Sequence, residues 1–313
     1  MTDLIAVPKA AHWHRLKRLV LDSVSSPITR RVYNLGLDEF FAWYGREPRP
    51  GFTKATVAAW RVALEARGLG AVSINVRITA VRKLAVEAAD NGLLAPELAN
   101  GIVRVKGVAS KGIRLGNWLS LAQAQKLLNT PDVTATKGLR DRAILAVLLG
   151  CGLRRSEVAA LTIAHVQQRN GRWCIVDLVG KHGRVRTIPM PTWVKVAIDA
   201  WIANAGVGDG FVFRAVNRGG QPQADRLSEK VVWHVVRQYA RRAGIEKLAP
   251  HDLRRTCARL CHQAGGELDQ IQFLLGHVSV QTTQRYLGCK QRIRNAVNDR
   301  IGIQPNRRMS SDG

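Results

Sequence analysis

A mainly helical protein with a small antiparallel β-sheet, divided into two domains, is what the sequence predicts, and three observations carry that prediction. Apolar residues recur at helical spacing over most of the 313-residue chain. Residues 171–189 depart from that spacing: they are rich in β-branched side chains and are interrupted by Gly180-Lys-His-Gly183, the pattern of a hairpin. Residues 101–117 hold four glycines, four basic residues and no acid, the composition of an extended basic linker between two folded parts.

Before the linker the signals are helical. Residues 29–44 set Val32, Leu35, Phe40, Phe41 and Trp43 among polar neighbours and predict a first helix; residues 54–66 predict a second and residues 73–89 a third. In the third, Ile74, Ile78, Val81 and Ala85 form the stripe expected inside, which leaves Asn75, Thr79, Arg82 and Lys83 on the opposite face. Such a face suits a DNA groove, and equally suits plain solvent. Beyond the linker, Ser120 opens a helix through Leu128, and residues 139–149 form a strongly apolar one. Gly150-Cys151-Gly152 breaks it and a short helix follows over residues 156–161. Two strands, residues 171–179 and 185–188, flank the Gly-Lys-His-Gly turn. Helices are then expected over 192–204, 228–243, from about Pro250, and over 268–275, the last ended by Gly276.

Composition narrows the class. Hydrophobic residues make up 46% and charged residues 23%, which excludes disordered, collagen-like and coiled-coil chains. Lys and Arg number 48 against 23 Asp and Glu, a formal charge of +25 that calls for an anionic partner. Nucleic acid is the leading candidate. Residues 101–313 hold 34 of the basic and 14 of the acidic residues, so the later part carries most of the surplus. Neither a membrane-length apolar run nor a secretory leader is seen, and the five cysteines, Cys151, Cys174, Cys257, Cys261 and Cys289, are an odd number without a paired framework; both point to the cytoplasm. Cys257, Cys261 and His262 invite a metal reading, but four apart is also one helical turn, and with no second ligand cluster packing is the favoured reading.

Four features carry chemistry. Gly152-Leu-Arg154-Arg-Ser-Glu157 places an arginine at a glycine-flanked helix start, a setting that grips phosphate. Lys181, at the hairpin tip, can donate a proton to a leaving alkoxide. Pro250-His251-Asp-Leu-Arg254 puts an imidazole and a guanidinium three apart on one helix face. Leu274-Leu-Gly-His277 is followed nine residues on by Tyr286, whose hydroxyl, with a free pKa of about 10, needs cationic surroundings to act as a nucleophile. Each alone has an ordinary alternative: a capped surface helix, a solvated turn, a chance pair in an arginine-rich chain, an amphipathic packer.

Taken together, in this order and with these neighbours, the four features resemble the tyrosine recombinases, also called the phage integrase or Xer-type family. The wording Gly-Leu-Arg-Arg-Ser-Glu157, Gly-Lys181 with Arg186 and Pro189, His-Asp-Leu-Arg-Arg-Thr256, and Leu-Gly-His-Val-Ser-Val-Gln-Thr-Thr-Gln-Arg-Tyr286 is what carries the likeness. Cys257 and Leu287-Gly288 are small departures. The resemblance implies a two-domain C-shaped DNA clamp: a helical, SAM-like core-binding domain over residues 1–104, the linker over 105–117, the catalytic domain over 118–304 and a flexible tail over 305–313. It also implies that Tyr286 attacks a phosphodiester to give a 3′-phosphotyrosyl link, that Arg154 and Arg254 bracket the non-bridging oxygens, and that Lys181 is the general acid. His251 is then a base or proton carrier and His277 a donor to the phosphate. Neither metal nor cofactor is required, since these cations supply the charge. The implied partners are double-stranded DNA with an inverted-repeat site, three further copies in a synaptic tetramer and an accessory bending or directionality factor. A stripe formed by Ile293, Ala296, Val297 and Ile301 would dock on a neighbouring copy, or pack within its own chain. Relaxation of DNA in the manner of a type IB topoisomerase, and sequence-specific binding without catalysis, are the competing functions.

Overall fold

Ser26 accepts a hydrogen bond from the Thr29 amide and Pro27 takes the first helical position, so the first helix foreseen for the early part starts two residues ahead of Thr29. The computed structural model describes residues 10–49, 51–109, 117–180, 183, 185–277 and 279–287, and the chain divides into two compact units, Met1–Ile113 and Arg114–Gly313. In the first unit the described helices are α1 Ala10–Asp22, α2 Pro27–Tyr44, α3 Lys54–Ala66, α4 Ala71–Asp90 and α5 Pro96–Val103. The stripe Ile74, Ile78, Val81 and Ala85 of α4 is buried, as its spacing requires. It packs on Tyr33, Leu37 and Phe40 of α2 and on an aromatic group in which Trp60 meets Phe40 edge-on at 5.0 Å. Leu35, expected among the apolar residues of α2, is 49% exposed, because Gly36 and Leu37 turn the core face away from it. Sequence periodicity missed α1 and α5. The latter takes in Gly101, Ile102 and Val103, the first residues of the run expected to be extended: Pro96 starts the helix, and burial of Ile102 holds it.

The second unit contains α6 Leu121–Asn129, α7 Thr136–Gly150, α8 Arg155–Ala159, β1 Val166–Arg169, β2 Arg172–Val179, β3 Val185–Pro189 and α9 Thr192–Ala205. After these come β4 Arg214–Val216, β5 Pro222–Arg226, α10 Glu229–Arg242, α11 Pro250–Gln263, α12 Leu268–Leu275 and α13 Val280–Leu287. Ser120 and Gln123 cap α6 reciprocally. The run Ala143–Leu149 of α7 is buried on every side, which makes this helix the axle of the unit. Strands β1, β2 and β3 form an antiparallel sheet in that order, with Val166 opposite Ile175 and Leu178 opposite Arg186. Strands β4 and β5 make a separate ribbon. Strands β1, β4 and β5 escaped the sequence reading because they are short and polar, with no alternation of period two.

At the side of α7 the core admits a buried ion pair. Asp141 is fully buried and accepts from Lys137 Nζ at 2.7 Å, from Arg140 Nε and Nη2 at 2.9 and 2.7 Å, and from the Tyr239 hydroxyl at 3.1 Å. The Tyr239 phenol is pushed well above its usual range by its own burial and by the Asp141 charge, so it stays a donor. Replacing Asp141 by Ala leaves Arg140 buried without its anion, and should lower the unfolding free energy by about 3–5 kcal/mol; urea unfolding followed by fluorescence would detect it, and a loss under 1 kcal/mol would refute the account.

Candidate active site

Gly152 turns the chain between α7 and α8 with a φ of 59°, where a side chain would be strained and would meet Leu275 Cδ2 at 3.2 Å. The turn presents the Gly152 carbonyl to α11. There Arg254, 1% exposed, donates from Nη1 to Gly152 O and from Nη2 to Leu275 O. One guanidinium thus ties the α7–α8 turn and the end of α12 to α11. Helix α12 stops at Gly276, in the left-handed region at φ 60°, and its built side chain would approach Arg186 Cδ to 3.0 Å. His277 follows at once.

Glu157 of α8 is the anionic hub. It is buried, and accepts from the Arg154 amide and from Arg154 Nη1, both at 2.7 Å. Arg186 of β3 reaches it through both Nη atoms at 3.0 and 2.9 Å. Burial alone would push the Glu157 carboxyl up, but the hydrogen bonds from Arg186 and from the Arg154 backbone outweigh it and hold the carboxyl below its usual range. Sequence reasoning quoted Glu157 and Arg186 without giving them a part. The signal was present: a Glu three residues past Arg154, and an Arg on the strand that leaves the hairpin.

His251 stands second in α11, behind Pro250, and Asp252 caps the helix by accepting from the Ala249 amide at 2.9 Å. Partial burial, then the charges of Arg255 and Arg254, lowers the His251 imidazole below its ordinary value. His277 is lowered further, to about 4, first by burial and then by Arg254, Arg154, His251 and Arg186. Both rings are therefore neutral at pH 7. That His277 feels those four groups also places Arg154, Arg254 and both histidines in one neighbourhood. Its Nδ1 lies 3.0 Å from Thr283 Oγ1. Thr283 and Leu287 of α13 are buried, Leu287 against Ala258, Ile271 and Leu275, so the helix bearing Tyr286 is anchored three residues before and one after it. The Tyr286 side chain lies outside the described residues, as do Lys181 at the β2–β3 connection and the stripe Ile293, Ala296, Val297 and Ile301.

On the α4 face, the residues expected to meet a DNA groove also bond within their own unit. The Asn75 amide pairs with the backbone of Val108 in both directions, donating at 2.9 Å and accepting at 2.7 Å. Arg82 donates to Val105 O, and Thr79 to Asn75 O at 2.7 Å. Lys83 remains exposed. Among the described residues no three His, Cys, Asp or Glu side chains gather as a metal site, and no helix is long and apolar enough to cross a membrane.

A buried arginine, a second arginine braced by a carboxylate, two neutral histidines and a tyrosine-bearing helix thus belong to the second unit, the part of the chain in which the tyrosine-recombinase resemblance expects a site. The chain belongs to the phage integrase family, whose family model matches residues 117–292. It is 37% identical over 182 residues to the tyrosine recombinase XerD of Yersinia pestis, covering 55% of this chain and 58% of that one. Against XerD of Pseudomonas aeruginosa the identity is 29% over 285 residues, covering 87% and 90%. The chain thus spans little more than half the length of the first of these relatives and nearly all of the second. Two solved structures share the fold. One is the XerH site-specific recombinase bound to a palindromic difH substrate, post-cleavage, with TM-score 0.70, 19% identity and coverage of 92% and 87%. The other is a lambda integrase (75–356) dimer bound to a COC′ core site, with TM-score 0.67, 17% identity and coverage of 88% and 94%.

Two measurements check this geometry. The folded protein resists protonating His277 down to about pH 4, whereas the unfolded chain takes up that proton near 6.5. Stability is therefore present above about pH 6.5 and is lost as pH falls toward 4. The urea midpoint should drop between pH 7 and 5 in the parent protein, and less in His277→Gln. Separately, Asn75→Ala should strip hydrogen-exchange protection from the Val108 amide, at a cost of about 1–2 kcal/mol.

Proposed function

We propose that the chain is a site-specific DNA recombinase that cleaves and rejoins duplex DNA through a 3′-phosphotyrosyl intermediate. The observation that carries this reading is the fixed guanidinium of Arg254: two backbone carbonyls set its plane before any substrate arrives, so orientation is not paid for during the reaction. Arg154, braced by Glu157, supplies the second cation for the non-bridging oxygens. Tyr286 Oη bonds to phosphorus and the 5′-oxygen leaves. Lys181 protonates the leaving oxygen, while the tyrosine proton passes to His251, whose neutral ring at pH 7 suits an acceptor. His277 donates from Nε2 to the phosphate, with Nδ1 accepting from the Thr283 hydroxyl. The phosphotyrosyl bond conserves the energy of the broken phosphodiester, so rejoining needs no nucleotide cofactor.

The partner is double-stranded DNA with an inverted-repeat site, bound by a core-binding domain over 1–104 and a catalytic domain over 118–304, with the linker over 105–117 between them in sequence. The exposed face of α10, with Lys230, Trp233, His234 and Arg241, adds a basic and aromatic surface to the catalytic domain that suits a duplex. Four copies assemble on DNA, aided by an accessory bending or directionality factor. An apolar groove of about 670 Å³ supports the assembly reading. It is lined by Leu121, Val133, Trp193 and Val196, of which Leu121 is 70% exposed, and it suits the tail stripe Ile293 to Ile301 of a second copy. The same reading places the protein in the cytoplasm.

Covalent trapping tests the proposal. Incubated with nicked suicide duplexes drawn from DNA flanking its own gene, the parent protein should give a denaturation-resistant protein–DNA band, absent from Tyr286→Phe although that variant still binds. Arg254→Lys should reduce the band about 10²–10³-fold. Tight, sequence-specific binding with no band would instead support a catalytically silent DNA-binding protein.

A further inference from the structure

Arg186 occupies a place on β3 where an apolar residue would be expected. Along the strand Val185 and Thr187 are exposed and Ile188 is buried, so alternation turns Arg186 inward, opposite the buried Leu178 of β2. Its side chain is 10% exposed, and an enclosed guanidinium is costly unless its donors are met. One carboxylate meets them. Nη1 donates to Glu157 Oε1 at 3.0 Å and Nη2 to Glu157 Oε2 at 2.9 Å, a paired fork that arginine forms and lysine cannot. Each of those oxygens also accepts from Arg154, Oε1 from Nη1 and Oε2 from the backbone amide, both at 2.7 Å. The carboxylate is thus gripped from two sides, and the plane that Arg186 imposes on it also sets the side chain of Arg154. The stem of Arg186 lies against the Gly276 turn, where a built side chain would approach Cδ to 3.0 Å and Nε to 3.3 Å. That turn ends α12 and leads into His277.

We propose that Arg186 is a positioning residue for DNA cleavage, which holds Arg154 in place through the shared Glu157 carboxylate and backs the turn that carries His277. The proposal rests on the recombinase reading, since cleavage is the activity it tunes. Arg186 acts through its neighbours and does not touch the phosphate. Arg154 is 31% exposed and has one Nη on Glu157, which leaves it donors for a ligand, whereas both Nη groups of Arg186 are committed and its side chain is enclosed. The terminal torsion of a glutamate is soft, so a carboxylate held by Arg154 alone could swing about it. With both oxygens also tied to β3, it swings only by breaking the fork. Lysine at position 186 would keep the charge and lose the fork, which separates the electrostatic contribution from the geometric one.

Rates of covalent-complex formation test the proposal in the full chain. Two suicide duplexes are compared, one with an ordinary scissile phosphodiester and one with a methylphosphonate, in which a methyl group replaces a non-bridging oxygen and removes its charge. Arg186→Lys should slow the phosphodiester reaction about 10–100-fold, as small displacements of a reacting group do. On the methylphosphonate the same variant should lose less than about 3-fold, because little charge is left for a displaced Arg154 to miss. Glu157→Gln combined with Arg186→Lys should be no slower than the slower single variant, since both break one fork. Far-UV circular dichroism checks that each variant is folded, and Arg186→Gln, which can still give Glu157 one hydrogen bond, takes the place of a lysine protein that is not. A parental rate in Arg186→Lys overturns the proposal. So do losses that multiply in the double variant, the mark of a direct contact between Arg186 and the phosphate, and a defect equally large on the methylphosphonate, the mark of general disruption. A parent protein that forms no covalent complex on either duplex brings down the recombinase reading and this proposal together, whereas a parent that cleaves beside an unaffected Arg186→Lys brings down the proposal alone.

Discussion

A fully charged guanidinium sealed from water is costly unless its donors are satisfied, and Arg254 meets that condition by donating to Gly152 O and Leu275 O. Those carbonyls stand at chain reversals, one between α7 and α8 and the other at the end of α12. Both reversals require left-handed glycine, Gly152 and Gly276, and both glycines also permit a close approach: Gly152 to Leu275, Gly276 to Arg186. The arginine therefore acts as a structural pin as well as a cation. Helix α8 with Arg154, the α12 terminus with His277 and helix α11 with His251 are all referenced to it.

The charge balance around this pin is heavily cationic. Glu157 offsets part of it, bridging Arg154 and Arg186 with one buried carboxylate. The histidines respond by staying neutral, His277 most of all. On the proposed function, a phosphodiester supplies the anion that offsets this cationic charge. Cationic surroundings of this kind are also what a tyrosine hydroxyl needs in order to lose its proton near neutrality. The buried Asp141 cluster on α7 belongs to a different task. Its three donors consume its charge within the core, and it fixes α10 to α7 through Tyr239.

The polar face of α4 illustrates how far helical phase carries. Phase correctly separated Ile74, Ile78, Val81 and Ala85 from Asn75, Thr79, Arg82 and Lys83, because the buried stripe of a helix follows from 3.6-residue spacing alone. What occupies the polar side is another matter. Asn75 is bonded to a backbone 33 residues away, and Gly107 is required there because a Cβ would lie 2.6 Å from Asn75 Oδ1. No local pattern encodes such a partner.

The helices foreseen from the sequence are those with strong local signals: Ser120 and Ser228 at helix starts, Pro250 in the first turn, Gly276 as terminator, and the continuous apolar run of α7. Caps, turns and periodicity act over a few residues, so they are legible in a chain read alone, and the family wording around Arg154, His251, Arg254 and Tyr286 was legible for the same reason. Tertiary structure decided which of those residues meet and what braces them. Glu157 finds Arg186 across 29 residues, Arg254 finds Gly152 across 102, and Leu119 finds Thr256 across 137. Strands β1, β4 and β5 likewise exist through pairing rather than pattern. The physical reason is common to all of them: a buried polar group must be satisfied, but any donor at the right place will do, and only the folded chain determines which one is there.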